Sequence, residues 1–312
     1  MIFQITLIAV LVLLCTAVPG YILIKKRMIG EECISGFSKV LLYVSQPCLA
    51  IYTFNSTPYS PEKLANIGIF ALLTAILMLS MLGGAFVFLR KRYQDALYRI
   101  ITIATTFANC AFFGIPIIEA ILPETSSDLI VYTTAFAVVM NVIGWTVGAA
   151  IISQDTKYIS LKKIFLNPAT IGTLIALIIY VLQIPLQADL ASMITTIARM
   201  ASPLSMLIMG MRLGTIKLSS LFVNYRVYLT IAVKQLLMPL FAFAMVMILP
   251  IPTEIAVTFF IISACPEASV VLNFAEIIGE GQKEAVNIVL LGTILSIVTV
   301  PIMMLLLPLL GV

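Results

Sequence analysis

Residues 105–116 read Thr105-Thr106-Phe107-Ala108-Asn109-Cys110-Ala111-Phe112-Phe113-Gly114-Ile115-Pro116, and residues 263–269 read Ser263-Ala264-Cys265-Pro266-Glu267-Ala268-Ser269. Each stretch lies near the middle of a long apolar run. Gly114 frees the backbone, and Pro116 removes a donor and crowds the preceding turn, so helix continuity fails there. Pro266 does the same in the second run, with the charged Glu267 at the break. In lipid, a broken backbone leaves amides and carbonyls that only protein, water or a bound solute can satisfy. One such break reads as an ordinary proline kink. Two at corresponding depths point to a site.

Lipid is the solvent this chain expects. Of its 312 residues 62% are hydrophobic and only 10% charged, with mean hydropathy +1.15, far too apolar for a soluble domain of this size. At about 20 residues per crossing, the length accommodates about ten spans with short connections and no separate soluble domain. Hydropathy and breaker residues place them near 2–24, 34–54, 65–89, 100–122, 129–152, 167–184, 190–213, 226–249, 254–278 and 285–310. The basic cluster Lys25, Lys26 and Arg27 follows the first apolar run, so that run is expected to be a retained span and not a cleaved signal.

The basic residues orient these spans. Of the 18 Lys and Arg, fourteen fall in odd-numbered loops: Lys25, Lys26 and Arg27; Arg90, Lys91, Arg92 and Arg99; Lys157, Lys162 and Lys163; Arg212, Lys217 and Arg226; and Lys283. The even loops hold only Lys63. By the positive-inside rule the odd loops are cytoplasmic and both termini extracytoplasmic. Lys39, Arg199 and Lys234 remain in or near apolar spans, where each must snorkel, pair or face water. The net charge of +4 is therefore a topology signal, and nucleic acid is not implied. Five scattered cysteines without a single histidine argue against zinc and haem sites. With no paired nucleophile and base, the pattern also argues against an enzyme.

An offset of 156 residues brings the punctuation of one half onto the other. Pro47 lands on Pro203, and the polar interruption at Asn109 lands on Cys265-Pro266. The expected organisation is an all-α polytopic protein with two repeats, 1–152 and 167–312, joined by a short cytoplasmic linker over 153–166. Five spans per repeat is an odd number, so the second repeat is inverted and the broken fourth and ninth helices cross near the midplane. The outgoing half-helices then aim their N-termini at the centre and favour an anion. This architecture is that of a secondary transporter. A sensor that binds without translocating is the alternative.

Expected around the substrate are Asn109, Cys110, Gly114, Pro116, Pro266, Ala268, Ser269 and Asn273, with Asn109 and Asn141 also assigned to ion coupling. Glu267 has three open roles: a Na⁺ ligand beside freed carbonyls, a proton carrier, or the partner of a basic residue. No cofactor is expected, apart from Na⁺ as a candidate coupling ion. Glu119 and Glu276, ten residues beyond the breaks, read as solvated carboxylates at span ends.

Asn109 with Phe113-Gly114-Ile115-Pro116, the Pro47 and Pro203 spans, Asn167-Pro168 opening the sixth helix and Pro266 in the ninth together resemble the auxin efflux carrier family, in its compact prokaryotic form. The resemblance implies a fold shared with bile acid sodium symporters. Spans 1, 2, 6 and 7 would form a scaffold, dimeric through spans 2 and 7, and spans 3–5 with 8–10 a mobile elevator. It further implies a multi-pass carrier of small organic acids such as malate or malonate in a bacterial inner membrane, with Glu267 as a Na⁺ ligand.

Overall fold

In the computed structural model the described residues are 1–154, 165–222 and 224–311. Most of the expected linker, with Lys157, Lys162 and Lys163, lies outside them. Among the described residues all regular structure is helical. Seven helices are long and apolar enough to cross a membrane: Ile2–Lys25, Cys33–Asn55, Pro61–Arg92, Ser126–Ser153, Ala188–Thr215, Tyr225–Ile248 and Gln282–Leu310. Pro168–Val181 is a shorter apolar helix. The two remaining apolar runs are divided, Ala96–Ala104 followed by Gly114–Ile121 and Thr253–Ala264 followed by Val270–Ile278.

Polar caps fix where several helices begin. Ser60 accepts from the Lys63 amide, Asp95 from Leu97, Asn167 from Ala169 and Asn224 from Arg226, all at 2.9–3.0 Å. Each pairs one of the amides that a helix start leaves without an intrahelical partner. Around this frame the usual burial pattern is inverted. Phe88 and Ile248 are 85% and 81% exposed, a surface suited to hydrocarbon. Inside, every residue from Ile255 to Ala264 is buried, so the first half of the ninth segment has no outward face and forms the centre of the core.

Polar contacts divide the molecule into two ends. At one, Arg99 pairs with Glu280 at 2.6 Å and Gln154 donates to the Tyr93 carbonyl, while Lys39, Arg212 and Lys283 share one cavity. At the other, Lys63 pairs with Glu254 at 2.5 Å, Thr57 donates to the Ser127 carbonyl and Tyr180 to that of Pro58. Odd-loop residues thus meet odd-loop residues, and even meet even, as alternating crossings require. One placement differs from the reading of the sequence: Arg212, assigned to a loop, lies in the last turn of Ala201–Thr215. Apolar Leu213 follows it there, and the helix runs on to Thr215 before the backbone turns extended at Ile216.

Glycine sets the closest helix packing. A Cβ at Gly20 would sit 2.1 Å from the Leu207 carbonyl oxygen, and one at Gly210 would sit 1.8 Å from that of Ala17. These two contacts bring Val18–Lys25 and Ala201–Thr215 together backbone to backbone. Gly172 does the same against Pro47, where a Cβ would approach within 2.5 Å of Cα. Without water to drive association, close van der Waals approach of this kind holds membrane helices together. Gly210→Leu is therefore expected to force the first and seventh segments apart and lower the thermal unfolding midpoint in detergent by several degrees. Gly83→Leu, with nothing within 4 Å of a Cβ, is expected to leave it unchanged.

Candidate functional site

Where the two broken segments meet, each completes the backbone of the other. The Asn109 amide donates to the Pro266 carbonyl at 2.8 Å, and the Ala268 amide donates to the Phe107 carbonyl at 2.9 Å, forming an antiparallel bridge between Ala108 and Glu267. Proline contributes only an acceptor here, which is all the bridge asks of residue 266. The register corrects the sequence reading. Ala108 faces Glu267, so the bridge's local two-fold matches Asn109 with Ala268, an offset of 159 where the flanking prolines give 156. The extra residues sit in Thr253–Ala264, which has 12 residues against 9 in Ala96–Ala104.

The ends of the two incoming half-helices are satisfied differently. After Ala96–Ala104, the hydroxyls of Thr105 and Thr106 both return to the Thr102 carbonyl. After Thr253–Ala264, Lys234 supplies the donor: its Nζ reaches the carbonyls of Ser263 at 2.9 Å and Cys265 at 2.8 Å. An ammonium at a helix C-terminus offsets the partial negative charge of the exposed carbonyls. Lys234 gets there on a π-helical turn, Val233–Leu237, just before Pro239. Widening of the turn places consecutive residues, Lys234 and Gln235, both inward and fully buried.

Gln235 holds the carboxylate. Its Nε2 donates to Glu267 Oε2 at 3.0 Å and to the Gly292 carbonyl at 2.8 Å, and its Oε1 accepts from Thr299. A Cβ at Gly292 would lie 1.8 Å from Glu267 Oε2, so the missing side chain is what makes room for the carboxylate. Glu267 is 0% exposed, and its Oε1 has no partner among the described residues. No N–O distance of 4.0 Å or less joins it to Lys234. The two nevertheless bring opposite unit charges to one enclosed region. A basic residue, Lys234, thus shares the enclosed region with Glu267 without touching its carboxylate, and the three roles read from the sequence stay open.

Removing one charge from such a region strands the other. Lys234→Met is expected to destabilise the fold by about 3–5 kcal/mol, read from unfolding in mixed micelles. Lys234→Met with Glu267→Gln is expected to recover most of the loss.

On the other side of the bridge lies a cavity of about 220 Å³. Asn109, Cys110, Ala268, Ser269, Asn273 and Asn141 all line it. Gly114, Pro116 and Pro266 do not: Gly114 opens its half-helix against Cys265 Sγ, Pro116 sits in the first turn, and Pro266 is spent in the bridge. Glu267 is absent from the lining as well, its carboxylate being held by Gln235 beside Gly292. Asn109 is only 5% exposed, yet its Nδ2 has no hydrogen-bond partner among the described residues. A buried, unpaired donor is costly, and this one borders an open space.

The cavity continues into a larger one of about 530 Å³ at the odd-loop end, and Ser38, Leu42, Arg212 and Asn273 line both. Glu276 is exposed there, as expected; Glu119 is also exposed. Toward the even-loop end, Thr53 and Thr134 share a buried hydroxyl–hydroxyl bond of 2.8 Å. Arg199 is exposed beside the ring of Tyr52 and Lys39 is exposed on the wider cavity, so neither is a stranded charge. Sequence reasoning missed Arg212, Gln235 and Gly292, and it noted Lys234 without placing it. A Lys-Gln pair inside an apolar run was the available signal for two of these; nothing marked Gly292.

The family comparison covers nearly the whole chain: a model described as membrane transport protein matches residues 5–304. No curated protein matches. A helical architecture with seven apolar helices of crossing length, two broken segments bridged in the core and a polar cavity at the bridge is what such a protein needs, and the chain belongs to this membrane transport family, the auxin efflux carrier group that its sequence resembles.

Proposed function

We propose that the chain is a secondary transporter of small organic carboxylates that works by alternating access across a bilayer. The unpartnered Asn109 side-chain amide at the bridge, flanked by the N-terminal ends of Gly114–Ile121 and Val270–Ile278, carries this reading. Both ends favour negative charge, and the cavity, smaller than the usual drug-sized pocket, suits a small acid such as malate or malonate. We read the wider cavity at the odd-loop end as the access route, which corresponds to the state open to the cytoplasm. On this reading both termini are extracytoplasmic and the chain sits in a bacterial inner membrane.

The contacts favour ten spans in two inverted repeats and an elevator. Glycine contacts pair the first span with the seventh and the second with the sixth, which is one pairing repeated if spans 1–5 and 6–10 are equivalent. Those four make the scaffold, dimeric through spans 2 and 7. Polar side chains tie the others together. Glu254 receives Lys63, Asn66 and Tyr132 from the third and fifth spans, and Lys234 and Gln235 join the eighth to the ninth and tenth. The crossover carbonyls that a coupling cation would need are held by Lys234, so transport runs without Na⁺.

Uptake of labelled malonate and malate into proteoliposomes tests the proposal. The expected outcome is saturable uptake, unchanged when K⁺ replaces Na⁺ and lowered at least about tenfold by Asn109→Ala, the order expected for losing one hydrogen bond to a charged group. Undiminished uptake by Asn109→Ala and by Ser269→Ala would remove the site assignment. Binding without uptake would make the protein a sensor instead.

A further inference from the structure

The crossover explains how one negative group is received, but one cationic side chain of the cavity has no part in that account. Arg212 lines both the inner cavity and the wider one, and so stands at the neck between them. It is half-buried, and no carboxylate lies within 4.0 Å of it among the described residues. The charges nearest along the wall are Glu276, Lys39, Lys283 and Glu31, all exposed on the wider cavity. Arg212 is therefore the cation that a solute at the bridge meets first on its outward side. Ser205, two turns earlier on the same helix, also lines the inner cavity, with the apolar Ile208 and Met209 between them on the same face.

We infer that Arg212 is the specificity-determining residue of the site: it receives a second carboxylate on a solute whose first is held at Asn109 and the half-helix ends, and so makes the carrier select dianions over monoanions. The inference rests on the carboxylate reading above. The site then has two separated anion-receiving elements of different kinds. One is built from amides and helix ends and is indifferent to what lies at the far end of the solute. The other is a guanidinium, whose planar fork matches a carboxylate with two parallel hydrogen bonds. A half-amide of the same shape satisfies the first element and fails the second. Arg212 and the bridge also belong to different packing groups, the glycine-packed helices and the polar-tied ones. The two-point grip therefore exists only while these groups are arranged as they are here.

Calorimetric titration of the purified protein at neutral pH with malonate and with malonamate, its half-amide, tests the inference. The wild type is expected to bind malonate about ten- to hundredfold more tightly, the range for a hydrogen-bonded charge. Arg212→Gln should bring malonate down to the affinity of malonamate and leave malonamate within about twofold. Arg212→Lys, a point charge without the fork, should keep part of the preference, and its thermal midpoint shows whether the fold is intact. A malonate-to-malonamate ratio unchanged in Arg212→Gln overturns the role of Arg212 alone. A wild type that binds neither acid overturns the carboxylate reading and this inference with it.

Discussion

Everything around the core of this protein answers to one constraint: two stretches of backbone leave the helix where no water is available to pair them. The chain meets the constraint by crossing the stretches, so that one amide from each side finds a carbonyl of the other. The proline at position 266 suits such a bridge because its only backbone group is an acceptor. Breaking helices in a membrane is costly in isolation. Broken together and paired, they return part of that cost and leave the remaining polar groups at one place.

What the bridge cannot pair is handled unequally. The shorter incoming half-helix closes on its own threonine hydroxyls, whereas the longer one needs a lysine from a neighbouring helix. Lys234 brings a full charge into a region without water, and Glu267 supplies the opposite sign, held by Gln235 against a glycine. Each of these choices requires the next: the ammonium requires the carboxylate, the carboxylate requires an amide and an empty Cβ position, and reaching both requires the π-helical turn. The result is an enclosed polar assembly behind the bridge and a cavity in front of it.

Much of this was legible before any coordinates. Composition and hydropathy located the apolar segments within a few residues, although the caps at Ser60 and Asp95 start their helices at Pro61 and Ala96, ahead of the apolar runs read from 65 and 100. The Gly-x-Pro element and Pro266 located the breaks because they are local signals. Asn109, Ser269, Asn273 and Asn141 were within reach because a polar residue in an apolar run has few uses. The fates of the bridge residues were not legible: Pro266 goes to a backbone bond, Glu267 to Gln235 and Ala268 to the cavity wall, set by a pairing between positions far apart in sequence. The offset of 156 also fails at the bridge, where a longer half-helix shifts the register. Arg212 looked like a loop charge because charge patterning counts residues near a helix end without saying which way they face.

The distribution of contacts also bears on how such a molecule moves. The hydrogen bonds toward the even-loop end, Thr53 to Thr134 and Thr57 to Ser127, are neutral, and each is worth about 1 kcal/mol. The ties within the polar group are of another order, since parting Lys234 from its carbonyls or Glu267 from Gln235 would leave a buried charge short of partners, at a cost of several kcal/mol. The glycine contacts of the other group are backbone against backbone and cannot be loosened by rotating a side chain. On the proposed alternating-access reading, a displacement would give up these neutral hydroxyl contacts and keep both groups whole, and Arg212, on the glycine-packed helices, would then part from Asn109 at the bridge.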